Sequence, residues 1–221
     1  MIFSTVNMAQ TKVNRSLVYD LFSYAQSRSP QRTAHNIVKL LNESPASPFK
    51  DKIRILGKAD DPERETITQA TLAELIVKYI SNNPYKDRDT LIRGKSLLKA
   101  DTKESNNYIF RNLFIDQKDD VIAKNIWNLF EAVKEKWPNS WSGNSILNKS
   151  TGVVALMRFL RPAYLKLCAT QNREIGTTFF AFDYSAILLN ITIVDDAFTI
   201  SNYLPGATGV LKLYNQLIEF I

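Results

Sequence analysis

The chain has 221 residues, 45% hydrophobic and 23% charged, with a net charge of +6 and a pI near 9.3. These are the proportions of a globular chain with a sizeable core. They exclude collagen-like and low-complexity classes, and a lone Cys168 excludes a disulfide-stapled one. The longest apolar runs, FFAF at 179–182 and AILLNITIV at 186–194, fall short of the ~20 residues of a membrane span. The opening MIFSTVNMAQTKV has no signal-peptide pattern, so a cytoplasmic location is expected by elimination, with no membrane partner.

In chain order, IFSTVN predicts the end of a strand or a turn. VNRSLVYDLFSYA has helical spacing, with Val13, Leu17 and Leu21 on a stripe filled by Val18, Phe22 and Ala25. After Pro30 a second helix is expected from Thr33 through Ile37, Val38 and Leu41. DKIRILG alternates as a strand does, around Ile53 and Ile55. Thr68 is placed to cap a helix whose apolar face is Leu72, Leu75, Ile76 and Tyr79. The polar stretch 81–107 predicts a long functional or mobile loop.

From Asp119 to Trp137 a broad apolar face (Ile122, Ile126, Phe130, Val133, with Trp127 and Leu129) predicts a central helix. WPNSWSGN is expected to turn at Pro138. A further helix starts at Thr151 and is interrupted or kinked at Pro162. FFAFDYSAILLNITI suits strand or helix equally, and VLKLYNQLIEFI closes the chain as an amphipathic helix. These elements, without repeats or a clean linker, predict one α+β, predominantly helical domain over 1–221.

Charge is unevenly spread. Residues 1–60 carry nine Lys/Arg against four Asp/Glu, residues 61–144 balance at thirteen each, residues 145–182 net +4 and residues 183–221 net −3. Two separated basic regions that met on one face would attract nucleic acid. Arg158 and Arg161, three apart on one helix, suit a phosphate clamp. Lys149, Lys166 and Arg173 extend the group, and Phe159 and Tyr164 nearby suit either the core or base stacking. Near the amino terminus Asn7, Gln10, Thr11, Lys12, Asn14, Arg15 and Ser16 crowd a helix start, fit either to hold a phosphate or polar ligand or to cap a solvated turn.

Other chemistry is thinly supplied. LPGATGVLKLY lacks the order of a phosphate-binding GxxxxGK[ST] loop and reads as a turn into a helix, with Thr208 available as cap. His35 is the only histidine and has no evident nucleophile partner. Asp119 and Asp120 could hold a Mg²⁺ ion, or simply oppose the helix dipole as first-turn charges. Cys168 reads as a small buried hydrophobe, with a reactive thiol the alternative.

Four stretches carry a family resemblance: IFSTVNMAQTKVNRSLVYDLF (2–22), IFRNLFIDQKDDVIAKNIWNLFEAVKEKWPNSW (109–141), ILNKSTGVVALMRFLR (146–161) and YLPGATGVLKLY (203–214). With ITQATLAELI (67–76) between them, the chain resembles DGQHR-domain proteins, the group that includes the DndB-like proteins associated with DNA phosphorothioate modification. The resemblance implies a remnant of a ParB/sulfiredoxin-like α/β domain, with residues 1–60 nearest the name-giving motif and 61–221 a mainly helical extension. That Asp-Gly-Gln-His-Arg motif is absent here, and the resemblance implies that the amino-terminal part of the domain is missing, leaving an exposed apolar edge unless another chain covers it.

The resemblance also implies a DNA-binding or regulatory protein linked to DNA modification or phage and mobile-element defence. Lys12, Arg15, Lys149, Arg158 and Arg161 would hold double-stranded DNA, while Asn7, Gln10, Thr11 and Asn14 would face a nucleotide or polar ligand. No catalysis by this chain alone is expected, and a nucleotide with Mg belongs only to full-length relatives. The alternatives are a nucleotide-dependent hydrolase or nuclease on a ParB-like scaffold, and a non-catalytic scaffold that self-associates or docks on a partner protein.

Overall fold

A computed structural model describes residues 15–22, 27–55 and 66–221, and helices dominate among them. The first, α1 (Arg15–Leu21), turns Ser16 inward at 2% exposure, where its Oγ accepts from the Ala70 amide at 3.4 Å. Leu17 and Leu21, expected in the buried stripe, are 42% and 59% exposed instead. Two turns offer little apolar face, so the Ser16 bond and the partly buried Tyr19 set the roll of this helix.

α2 (Pro30–Glu43) begins three residues before the expected Thr33. The Ser29 hydroxyl accepts from the Arg32 amide at 3.1 Å, and Pro30 suits a first turn that has no use for its missing N–H. Ile37, Val38 and Leu41 face the core as their spacing predicts. β1 (Ile53–Arg54) pairs in parallel with β2 (Ile67–Thr68), Ile53 opposite Ile67, both buried. Thr68 then caps α3 (Gln69–Ile80), its hydroxyl accepting from the Thr71 amide at 3.2 Å.

The stretch 81–107 is not one long loop. It contains α4 (Pro84–Ile92) and α5 (Thr102–Asn107), started by side-chain caps from Asn83 at 3.0 Å and Asp101 at 2.8 Å. Its periodicity is weak because α4 anchors through a charge: Asp87 is buried against Arg111 at 2.7 Å. Arg111 opens α6 (Arg111–Ile115), which leads to α7 (Asp119–Lys136), where Ile122, Ile126, Leu129, Phe130 and Val133 are fully buried.

Pro138 starts a helix rather than only ending one: α8 (Pro138–Ser142) fills the expected turn. α9 (Ser150–Thr170) runs through Pro162 without a break. α10 (Ala181–Leu188) decides the strand-or-helix ambiguity for helix, a 3-10 turn covers Asp195–Ala197, and α11 (Ala207–Ile218) closes the described chain. The cap of α11 is Gly206, not Thr208, which lies inside the first turn.

α9 sits centrally, packed on α11, α3, α7 and α10, while α7 is covered by α10 and α2. One buried cluster links α2 to α11. Phe49, Phe130 and Trp141 meet in it with ring centroids 4.5 to 5.6 Å apart. The result is a predominantly α-helical mixed fold whose two-stranded ladder is not closed into a barrel. Among the described residues no helix is long and apolar enough to cross a membrane.

Candidate functional site

The sequence contains no Asp or Glu between Glu135 and Glu174, while Lys136, Lys149, Arg158, Arg161, Lys166 and Arg173 lie in that interval. α9 spans most of it. Its inner face is fully apolar, with Ala155, Leu156, Phe159, Leu160 and Ala163 at 0% exposure, which forces the arginines to its outer side. Arg158 and Arg161 stand about 60° and 4.5 Å apart on an α-helix. Arg158 is exposed and Arg161 half-buried, and no carboxylate of the described residues pairs with either.

Beneath them the Tyr79 hydroxyl, reaching across from α3, donates to the Met157 carbonyl. Burial pushes that hydroxyl far above its ordinary pKa, against the opposing pull of the Arg161 and Arg158 charges, so it stays a donor. Pro162 has no N–H for the Arg158 carbonyl, and the α3 contact supports the helix beside this gap. Phe159 and Tyr164 are core residues and not stacking groups: both are 0% exposed, and the Tyr164 hydroxyl donates to the Thr177 carbonyl at 2.8 Å.

The other expected contacts lie elsewhere. Lys149 precedes α9 as its N-cap, about 13.5 Å along the axis from Arg158 and about half a turn away. Arg15, on α1, pairs with Glu74 of α3 at 3.5 Å. Glu74 and Tyr79 project about 140° apart on α3, so Arg15 and the two α9 arginines meet different faces of that helix. Lys12, Asn7, Gln10, Thr11 and Asn14 lie outside the described residues. Of the expected group, the fold therefore brings together Arg158 and Arg161, and leaves Lys149 and Arg15 apart from them.

Lys149 instead lines a cleft of about 730 Å³ between the start of α8, the loop 143–149 and the segment 194–200. Asp195 ties two of these walls together by accepting from the Asn139 and Ser140 amides at 2.9 and 2.8 Å. Burial works to raise the Asp195 carboxyl, but the hydrogen bonds from Ser140 and Asn139 outweigh it and hold it below its ordinary value. Ile146 N donates to the Phe198 carbonyl at 3.0 Å, and Trp137 Nε1 to the Ile193 carbonyl at 2.8 Å. Gly152 is required where the loop folds back on α9, because a Cβ there would lie 2.2 Å from the Leu147 carbonyl oxygen.

A buried polar layer escapes a reading by apolar spacing alone. Gln31 and His35 lie one turn apart on α2, and His35 Nδ1 is 2.6 Å from Nε2 of the fully buried Gln69 on α3. Polar residues at helical spacing within an apolar stripe are the signal that could have found it. Asp119 and Asp120 stand in the first turn of α7, as the simpler of their two readings has it. Asp119 is gripped by the Arg28 guanidinium and accepts from Thr33 Oγ1 at 3.2 Å, while Asp120 pairs with Lys124 at 3.2 Å. Among the described residues no group of three His, Cys, Asp or Glu side chains could hold a metal. Cys168 is buried, and that burial pushes its thiol up to about 11, with Arg173 opposing.

Fold and site together define a predominantly helical chain whose central helix is basic and free of carboxylates. The chain matches no protein-family model, no curated protein and no solved structure.

Proposed function

We propose that this chain binds the phosphate backbone of double-stranded DNA through the outer side of α9, and acts as a regulatory protein without catalysis of its own. The observation that carries this reading is the pair Arg158 and Arg161, presented on a buried helix in a stretch of sequence with no carboxylate. Guanidinium groups on a rigid element hold phosphates well, because their charge does not titrate and their donors are fixed in a plane. The resemblance to DGQHR-domain proteins adds the DNA-modification setting and a ParB-like ancestry for the domain. Arg15 would add a phosphate contact from a second surface, reached only if the DNA extends across α3, and Lys12, outside the described residues, is a further candidate contact.

The test is a salt titration of duplex DNA binding by the whole chain. Affinity is expected to fall steeply as salt rises. Arg158→Ala with Arg161→Ala should weaken binding alike on unrelated sequences and lower the salt slope by about 2. Absence of binding by the folded chain at low salt, or binding indifferent to salt, overturns the proposal.

A further inference from the structure

The cleft beside α8 has features that backbone-phosphate binding does not use. Its volume of about 730 Å³ falls within the range of about 300–1,000 Å³ typical of small-ligand sites. Its walls are tied to one another by the Asp195, Ile146 and Trp137 bonds, so the space is already formed before anything occupies it. Most polar groups around it are spent internally: Ser145 Oγ donates to the Ser140 carbonyl at 2.7 Å, and Asp195 is held by two amides.

Two charges remain. Lys149 Nζ donates to Asn144 Oδ1 at 2.5 Å and has no carboxylate partner among the described residues. Asp196 lines the same cleft, likewise with no cation partner among them. Both residues line one space and form no ion pair with each other, so their separation exceeds that of an ion pair. Apolar surface accompanies them: Phe198 and Ile146 form the floor, and Val194 and Ile200 stand 62% and 56% exposed at the rim. A nucleic-acid backbone fits this arrangement badly, because its phosphates would meet Asp195 and Asp196 beside the single lysine.

We propose that the cleft binds a zwitterionic ligand of the amino-acid or short-peptide kind, its carboxylate on Lys149, its ammonium on Asp196 and an apolar side chain over Val194 and Ile200. Such a ligand bridges the two charges that the protein leaves unbridged, and its side chain covers the exposed rim. This assignment is independent of DNA binding by α9.

The experiment is an NMR titration of the whole chain with four probes: L-leucine, the dipeptide Leu-Leu, N-acetyl-leucine amide and inorganic phosphate. Saturable shifts at Ile146, Lys149 and Phe198 are expected with leucine or the dipeptide, and whichever binds tighter identifies free amino acid or peptide as the class. The uncharged amide should not saturate the site. Lys149→Met and Asp196→Asn should each weaken binding about tenfold, the scale of one charge-assisted hydrogen bond. Arg158→Ala should leave it unchanged, and unaltered spectra outside the cleft show that each variant is folded. The proposal is overturned if neither zwitterion shifts the cleft residues, or if phosphate binds more tightly than either and Asp196→Asn strengthens it.

Discussion

The helices from α3 to α7 pair some of their positive charge with carboxylates, whereas the single helix α9 pairs neither of its two arginines with any among the described residues. In the first region several cations are committed, Arg111 to Asp87, Lys99 to Asp116, Lys124 to Asp120 and Lys134 to Glu131, beside others such as Lys86, Lys95 and Lys103 that pair with no carboxylate among the described residues. On α9 neither Arg158 nor Arg161 has such a partner among the described residues. The net charge of +6 is therefore a poor guide to where a ligand would feel it. What matters is which cations retain their field, and α9 retains its own because its sequence supplies no acid and its inner face is wholly apolar.

The strongest way to break this contrast is to remove a committed cation. Arg111→Ala leaves Asp87 uncompensated, with side-chain exposures of 14% and 10% for the pair. A loss of about 3–5 kcal/mol is expected by chemical denaturation, the range for breaking a buried pair. A change below about 1 kcal/mol would show that the pair is wetter than its geometry implies.

Next comes Gly152→Ala, which drives a Cβ into the backbone oxygens of Leu147 and Ile146 at 2.2 and 2.5 Å. A cost of about 1–3 kcal/mol is expected by thermal melting, with displaced resonances along the cleft. An unaltered cleft would mean that the loop 143–149 yields without effect.

Arg158→Ala with Arg161→Ala should change stability by no more than about 0.5 kcal/mol per site while weakening DNA binding. Lys99→Ala with Lys124→Ala removes the same charge from committed positions, and should change the DNA salt slope less. Equal slopes in the two double variants would abolish the distinction between free and paired cations.

The smallest effect is a pH dependence at the cleft. The Asp195 carboxyl is held below its ordinary value of 3.8, so its contribution is fully present above that value and is lost as pH falls through the lower folded value. Hydrogen exchange of the Asn139 and Ser140 amides should accelerate in that acid window, relative to the rest of the protein. In Asp195→Asn the acceleration should already be present at neutral pH.

Much of this molecule is legible without coordinates. The faces of α3 and α7, the Thr68 cap and the burial of Ile37, Val38 and Leu41 stem from spacing and capping, because local periodicity and side-chain-to-amide bonds act over a few residues. The presence of Arg158 and Arg161 on one helix is equally legible.

Their neighbours are not. Nothing local tells that Lys149 lines a cleft with residues 194–200, that Arg15 pairs across to Glu74, or that Asp119 takes Arg28 and Thr33 as partners. The roll of α1 is likewise decided by Ser16 reaching the Ala70 amide, and α4 by an ion pair from a residue 24 positions away. Sequence by itself determined α2, α3, α7, α9 and α11, the inner faces of α2, α3 and α7, and the stretch free of carboxylates, since these depend on neighbours within a turn or two. Tertiary structure decided the long-range cancellations, Arg111 with Asp87 and Arg28 with Asp119, because they depend on distances that the chain sets only when it folds, whereas Lys124 with Asp120 and Lys134 with Glu131 are neighbours within one helical turn.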